Sequence, residues 1–296
     1  MRLGRIKLGE FNEAQIGAAL AASFLLFNVI FWAYPFVWLV ILSFSDWRFF
    51  DVPTFSGARN IVAVLGDLEF WRSLWNVMRF LIYYVPIVLA CSLAFAFGLK
   101  HIGRGKVFIA LCFLLAHISS GVAYSLVFEK IFSSTGPLNS FLLEWFGFTI
   151  PWLSSPTMAM LSISLVVTWK FVGYYGLILY SGLAAIPPEI YDAAKLDNTK
   201  PLKRLFRITL PMINAQLVMV LVFAITVAFG IFTEPYMMTG GGPMESTNMP
   251  MLVIYETAFN RLQPGRAALM AIIIAIISYA VLKLMRKVLE KNVELV

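Results

Sequence analysis

Lys170 is the side chain whose placement most demands a chemical account. It stands thirteen residues from either end of the apolar stretch Thr157–Leu183, too deep for its stem to carry the ammonium back to water. A cation so placed lines a polar passage or belongs to an ion pair. The plainer account has it satisfied by carbonyls or by a carboxylate of a neighbouring subunit. Val167, Lys170, Phe171 and Tyr174 share one helical face, so aromatic surface accompanies the charge. Other chemistry is poorly served. His101 and His117 are the only two histidines, no His-Glu-x-x-His occurs, and no serine sits in a nucleophile motif with a partner base. His117, with Ser119 and Ser120 close by, is expected to be a hydrogen-bonded interior group. The two cysteines, Cys91 and Cys112, lie in apolar stretches; they offer no disulfide frame or metal motif and read as small buried hydrophobes. Gly103-Arg104-Gly105-Lys106-Val107 lacks the first glycine and the hydroxyl of a phosphate-cradling loop. The expectation is a chain without catalytic residues, metal or bound cofactor.

The elements that hold these residues follow from composition. Of 296 residues, 60% are hydrophobic and 13% charged, with 26 Phe and 8 Trp; mean hydropathy is +0.82. A soluble domain carries about 45–50% apolar and about 25% charged residues. Disordered chains, collagen-like fibres and disulfide-stapled modules are excluded. An all-α polytopic membrane protein remains, and at about 20 apolar residues per span the length permits roughly six crossings. Six segments are expected: Ile16–Phe44, Leu74–Leu99, Val107–Phe128, Thr157–Leu183, Ile208–Phe232 and Ala267–Leu284. The first is too long for a cleaved signal peptide, and no short polar stretch with a small-residue cleavage pattern closes it before Tyr34-Pro35. Three charges fall inside the six, Arg79, Lys170 and Lys283, of which Arg79 and Lys283 stand close enough to an end to snorkel. An ion-coupled secondary transporter of a small polar solute is the alternative reading. It would need in-membrane carboxylates, and these segments contain none.

Charge sets the orientation. The N-terminus (Arg2, Arg5, Lys7), the second and fourth loops and the C-terminus (to Lys291) hold fifteen cations, against six in the first, third and fifth loops. The alternation places both termini in the cytoplasm and accounts for the net charge of +7 without nucleic acid. Residues 1–15 are then a cytoplasmic segment, 16–284 the membrane domain and 285–296 a cytoplasmic tail. Two outward loops, Asp46–Ser73 and Glu129–Pro156, run to 28 residues each, a length usually tied to function or docking. The fifth loop carries Gly240-Gly241-Gly242-Pro243 after Thr239, a tight-turn signal.

The fourth cytoplasmic loop, residues 184–207, differs from the rest. Pro188 suits a first helical position, Glu189 and Asp192 the positive helix start, and Asn198 a left-handed C-cap. A second helix begins at Pro201 and carries Lys203, Arg204 and Arg207 toward the membrane. Ala193 and Ala194 leave a face without bulk, open to close approach.

Asp192-Ala193-Ala194, then Asn198, then Ile208-Thr209-Leu210-Pro211 resembles the EAA loop of binding-protein-dependent ABC importers. That loop reads Glu-Ala-Ala, three residues, Gly, nine residues, Ile-x-Leu-Pro. The spacing matches throughout. Asp for Glu keeps the charge, and Asn for Gly keeps the residue with a side chain that best tolerates positive φ. Leu42-Ser43-Phe44, the Phe70–Asn76 stretch, the Thr239–Pro243 turn, Tyr255 and Ala258-Phe259 extend the likeness to the sugar-importing branch, which includes the maltose and glycerol phosphate permeases. The resemblance implies a type I permease fold in a bacterial inner membrane, in which Glu189, Asp192, Ala193, Ala194, Asp197, Asn198, Lys203 and Arg204 couple to an ATP-binding subunit. It implies a second permease, a different chain in that the family leans to heterodimers, two ATP-binding subunits holding ATP and Mg, and a solute-binding protein touching Gly240, Gly241, Gly242 and Pro243. It also places Tyr174 at a sugar-contacting position, with Ala224, Val227, Ala228 and Ile231 a small apolar counterpart on the next span. An aromatic platform at Tyr174 or Trp169 suits a sugar's C–H faces, and a cation at Lys170 would favour an acidic one such as a uronate oligomer.

Overall fold

The computed structural model describes residues 13–289, so the expectations for Arg2, Arg5, Lys7 and Lys291 lie outside them. Among the described residues the elements are helices apart from a two-residue antiparallel ladder, β1 (Ser45–Asp46) with β2 (Thr54–Phe55). Among the described residues four uninterrupted helical stretches are long and apolar enough to cross a membrane, and two further pairs are bent, giving six candidate crossings when each pair counts once.

Two compact units divide the chain. The smaller comprises the described residues up to Gly66 with Thr257–Ile272. Here α1 (Glu13–Asn28) passes through a π-helical turn, Val29–Ala33, into α2 (Tyr34–Ser43). Pro35 explains the turn: proline cannot donate to the helical ladder, and a widened turn absorbs the mismatch. Phe24, Leu25 and Phe31 are exposed along this stretch, as suits side chains with hydrocarbon for solvent. After β1 and β2, α3 (Arg59–Leu65) is fixed by Asn60, whose buried amide donates to the carbonyls of Ser43 (3.0 Å) and Ser45 (2.9 Å). Phe49 stacks on Phe259 at 5.9 Å. The first long loop is therefore ordered by specific bonds.

The larger unit comprises Asp67–Glu256 and the stretch from Ile273. Asp67 caps α4 (Leu68–His101) by accepting from the amides of Glu69 and Phe70. Then come α5 (Lys106–Ile118) and α6 (Gly121–Ile131), bent by 95°. The third span is thus not the single helix expected for Val107–Phe128. Ser119 and Ser120 both take extended backbone, which ends the helix without a proline. After α7 (Pro137–Phe146), Asn139 clamps the second long loop. Its amide donates to the Ile150 carbonyl (3.0 Å), and its oxygen accepts from the Ile150 amide (3.0 Å) and the Trp152 indole (3.2 Å).

α8 (Pro156–Ala185) is the unbroken axis of this unit and matches the fourth expected span closely. It packs chiefly on α4 and α5. Gly173 permits the second contact, since a Cβ there would lie 2.7 Å from the Phe113 backbone. Short helices α9 (Pro188–Leu196) and α10 (Pro201–Arg204) follow, then a π-helical turn at Leu205–Thr209 and α11 (Leu210–Met212). Pro211 sits at this turn as Pro35 does at the earlier one, and a 76° bend then leads into α12 (Asn214–Gly230). α13 (Thr233–Thr239) packs on α6, α14 (Pro250–Tyr255) on α4, and α15 (Pro264–Leu289) ends the described chain. Cys91 and Cys112 are free and exposed, contrary to the buried expectation. In a membrane helix an apolar stretch need not face inward, because lipid is as apolar as a core.

Candidate functional site

The elbow is built as its residues dictate. Pro188 opens α9 at its first position, and Asn198 takes φ 52° just beyond the helix end. The Thr199 amide donates to the Ala194 carbonyl (3.0 Å) and the Asn198 amide to that of Lys195 (2.9 Å), a paired closure that requires a left-handed residue at 198. Replacing Asn198 with Val should therefore destabilise the elbow by about 1–3 kcal/mol, the range for strained backbone positions. Replacement with Gly should match or exceed the native stability. Proteolysis rates across 196–200 would register both outcomes.

Tyr191 and Ala194 anchor the elbow to the permease. The Tyr191 hydroxyl lies 3.2 Å from that of Thr209, and the Lys100 ammonium sits 4.5 Å above the Tyr191 ring. Ala194 is 5% exposed, so the two alanines do not form one bare face. Ala194 lets the elbow lie close on its own body, while Ala193 stays exposed beside Glu189, Asp192, Asp197, Asn198 and Lys203. Arg204 is half-buried. Asp192 meets Lys195 at 2.7 Å, both largely exposed, a pairing worth at most a few tenths of a kcal/mol on a helix surface. Leu196 and Leu202 project at 89% and 71% exposure. Sequence reasoning passed over both, although a bare leucine at each side of a polar turn was visible.

Within the membrane domain, three elements meet at Lys170. Its ammonium donates to the Tyr124 hydroxyl (3.1 Å) and lies 3.8 Å from the Glu234 carboxylate, to which Tyr124 also donates. Glu234 is thus the counter-charge, supplied by this chain rather than by carbonyls or a neighbouring subunit. It was missed because it follows the apolar stretch ending at Phe232. The break before α13 turns it back against α6 and α8. Gly121 permits that packing, since a Cβ there would meet Thr233 at 3.2 Å.

An aromatic surface extends from this pair. The His117 ring stacks on Tyr174 at 4.6 Å and meets Phe171 edge-on at 5.1 Å; Tyr174 contacts Phe223 at 6.1 Å. Among the described residues the buried His117 Nδ1 has no hydrogen-bond partner, so stacking, not the expected hydrogen bonding, holds the ring. Trp169 is exposed and packs on Tyr124 (5.9 Å) and Phe128 (5.1 Å). Val167 and Ala228 are 1% and 0% exposed. Neither offers surface to a passage, whereas Trp169, Lys170, Phe171 and Tyr174 remain at least partly accessible.

In the glycine turn, Gly240 and Gly241 take φ 57° and 84°, and Gly242-Pro243 is cis. Thr247 locks the turn by donating to the Gly242 carbonyl (2.7 Å), and Asn76 of α4 donates to the carbonyls of Glu245 (2.7 Å) and Asn248 (3.0 Å). Gly241 is buried and Gly242 and Pro243 half-buried; Gly240, Met244 and Glu245 form the exposed surface. Beside them, a cavity of about 280 Å³ is lined by Arg72, Trp75, Arg79 and Glu245. Among the described residues no three His, Cys, Asp or Glu side chains converge as a metal site would require.

Comparison with known proteins agrees with this architecture. The probable ABC transporter permease protein YurN of Bacillus subtilis (strain 168) is 32% identical over 88% of this chain and 90% of its own length. The sulfoquinovosyl glycerol transport system permease protein SmoG of Agrobacterium fabrum is 30% identical over 88% of this chain and 86% of its own. A solved chain of a bacterial ABC transporter that imports the acidic polysaccharide alginate shares the fold. Its TM-score is 0.79 over 94% of this chain and 96% of that one, at 16% identity. Residues 11–295 match the family described as binding-protein-dependent transport system inner membrane component, and the chain belongs to that family.

Proposed function

We propose that this inner-membrane permease carries a carbohydrate delivered by a solute-binding protein, through a path shared with a second, different permease. Two ATP-binding subunits, which hold ATP and Mg, drive it by docking on the elbow from the cytoplasm, where both termini also lie. The observation that carries this reading is the closed elbow. Its inner residues, Tyr191 and Ala194, grip the permease, while Ala193, Glu189, Asp192, Leu196 and Leu202 remain outward. A short stiff segment anchored at one face and bare at the other can transmit displacement through packed contacts. The clamped loop around Gly240, Met244 and Glu245 is the surface offered to the binding protein.

The Lys170–Glu234 pair bears on the substrate class. Lys170 by itself would favour a uronate, but its charge is answered by Glu234 at 3.8 Å. The wall beside it is aromatic, and aromatic faces suit the C–H surfaces of neutral sugars. A neutral oligosaccharide is therefore the preferred cargo over an alginate-like one. Reconstituting the importer with its binding protein and comparing ATPase stimulation by maltotriose and by a mannuronate trimer tests this. Stimulation by the neutral sugar alone is expected, and stimulation by the uronate alone would overturn the assignment.

A further inference from the structure

A cavity of about 450 Å³ lies between the end of α4 and the elbow, with Lys100, His101, Lys195 and Arg204 in its wall. The charges there are unevenly answered. Lys195 is paired with Asp192 at 2.7 Å. The Lys100 ammonium donates to the Leu183 carbonyl (3.2 Å), a neutral partner. Among the described residues neither Lys100 nor Arg204 enters an ion pair. His101 uses Nδ1 on the Phe97 carbonyl (2.8 Å), which leaves Nε2 uncommitted. Two fixed cations thus face one cavity with no carboxylate of their own, an arrangement that attracts an anion with several acceptor oxygens.

The position of the cavity narrows the choice of anion. Lys100 and His101 form the last turn of the membrane-crossing helix α4, and Arg204 directly precedes the π-helical turn that leads into the next span. The cations therefore stand where the chain leaves hydrocarbon. Phe97, one turn deeper, and Leu205 supply apolar wall to the same cavity. Polar at one end and apolar at the other, the space matches an amphiphile with a charged head. We propose that it holds the headgroup phosphate of an anionic phospholipid, bound by Lys100 and Arg204, with the start of an acyl chain beside Phe97 and Leu205. Basic pockets between spans are suited to such headgroups. A docked acidic protein segment fits less well, because the exposed apolar tips Leu196 and Leu202 are not among the residues lining the cavity.

Native mass spectrometry of the assembled importer, extracted from bilayers of equal phosphatidylglycerol and phosphatidylcholine with matched chains, tests the assignment. Retained lipid should be enriched in phosphatidylglycerol. Arg204→Gln should lower the enrichment about fivefold, the factor one cation contributes near an anionic surface. Lys100→Gln should do the same, and Arg204→Lys should keep it. Millimolar inorganic phosphate should leave the lipid in place. Equal retention of both lipids, or enrichment untouched by both glutamine variants, would overturn the proposal. So would displacement by inorganic phosphate, which would make this a free-phosphate site. Enrichment found on the permeases alone but absent from the assembled importer would assign the cavity to a partner's acidic surface and equally refute it.

Discussion

Ala193→Trp should abolish ATP-driven uptake while leaving the permease folded. Ala193 is exposed on α9, so the larger ring meets solvent in the isolated chain and alters stability by no more than about 0.5 kcal/mol. Against a docked ATP-binding subunit the same ring is an overpacked contact costing about 1–3 kcal/mol, which is about fivefold to 150-fold in affinity. Recovery of the ATP-binding subunits with the tagged permease should fall in step with uptake, and the thermal midpoint of the permease alone should not. Ala194→Trp should behave differently. That residue is buried against its own chain, so the permease itself should lose stability.

The second large effect lies at the charge pair. Removing one partner of a buried pair costs about 3–5 kcal/mol, whereas replacing both with apolar residues is often neutral. Lys170→Met leaves Glu234 unanswered, and Glu234→Met leaves Lys170 so. The side chains are 19% and 7% exposed for Lys170 and Glu234, so stranding the more buried carboxylate should cost more than stranding the lysine. Each single variant should lower the thermal midpoint in detergent, Lys170→Met the further. The double variant should recover most of the loss, a positive coupling of the kind expected for residues in contact. Tyr124→Phe should fall between native and single variants, since it removes one shared hydroxyl and leaves both charges facing each other. Additive losses in the double variant would show that the two groups do not depend on each other.

What the sequence made legible was local. The elbow could be read because its determinants sit within a few residues of what they control: Pro188 opens a helix, and Asn198 closes it at φ 52°. The span Thr157–Leu183 could be read because α8 runs through it unbroken. The break at Ser119 and Ser120 could not, because serine is compatible with helix and extended backbone alike, and no proline or charge marked the site. Glu234 escaped for a related reason. Hydropathy reports where a segment ends, and only the packing of α13 on α6 reveals that the chain turns back. Periodicity grouped Val167 with Lys170, Phe171 and Tyr174, yet it cannot say which part of a shared face is covered, and Val167 is buried. Likewise the adjacent Ala193 and Ala194 looked equivalent and point to opposite tasks. The cysteines were misplaced because apolar neighbours imply burial only where the solvent is water.

The account stands on the elbow lying in the cytoplasm and seating against a separate ATP-binding subunit. The most direct measurement labels Leu196→Cys, in a background carrying Cys91→Ser and Cys112→Ser, with a membrane-impermeant maleimide. Labelling should occur in inverted vesicles and not in intact spheroplasts, and co-assembled ATP-binding subunits should protect the thiol. Labelling from the outer side, or equal labelling with and without those subunits, would contradict it.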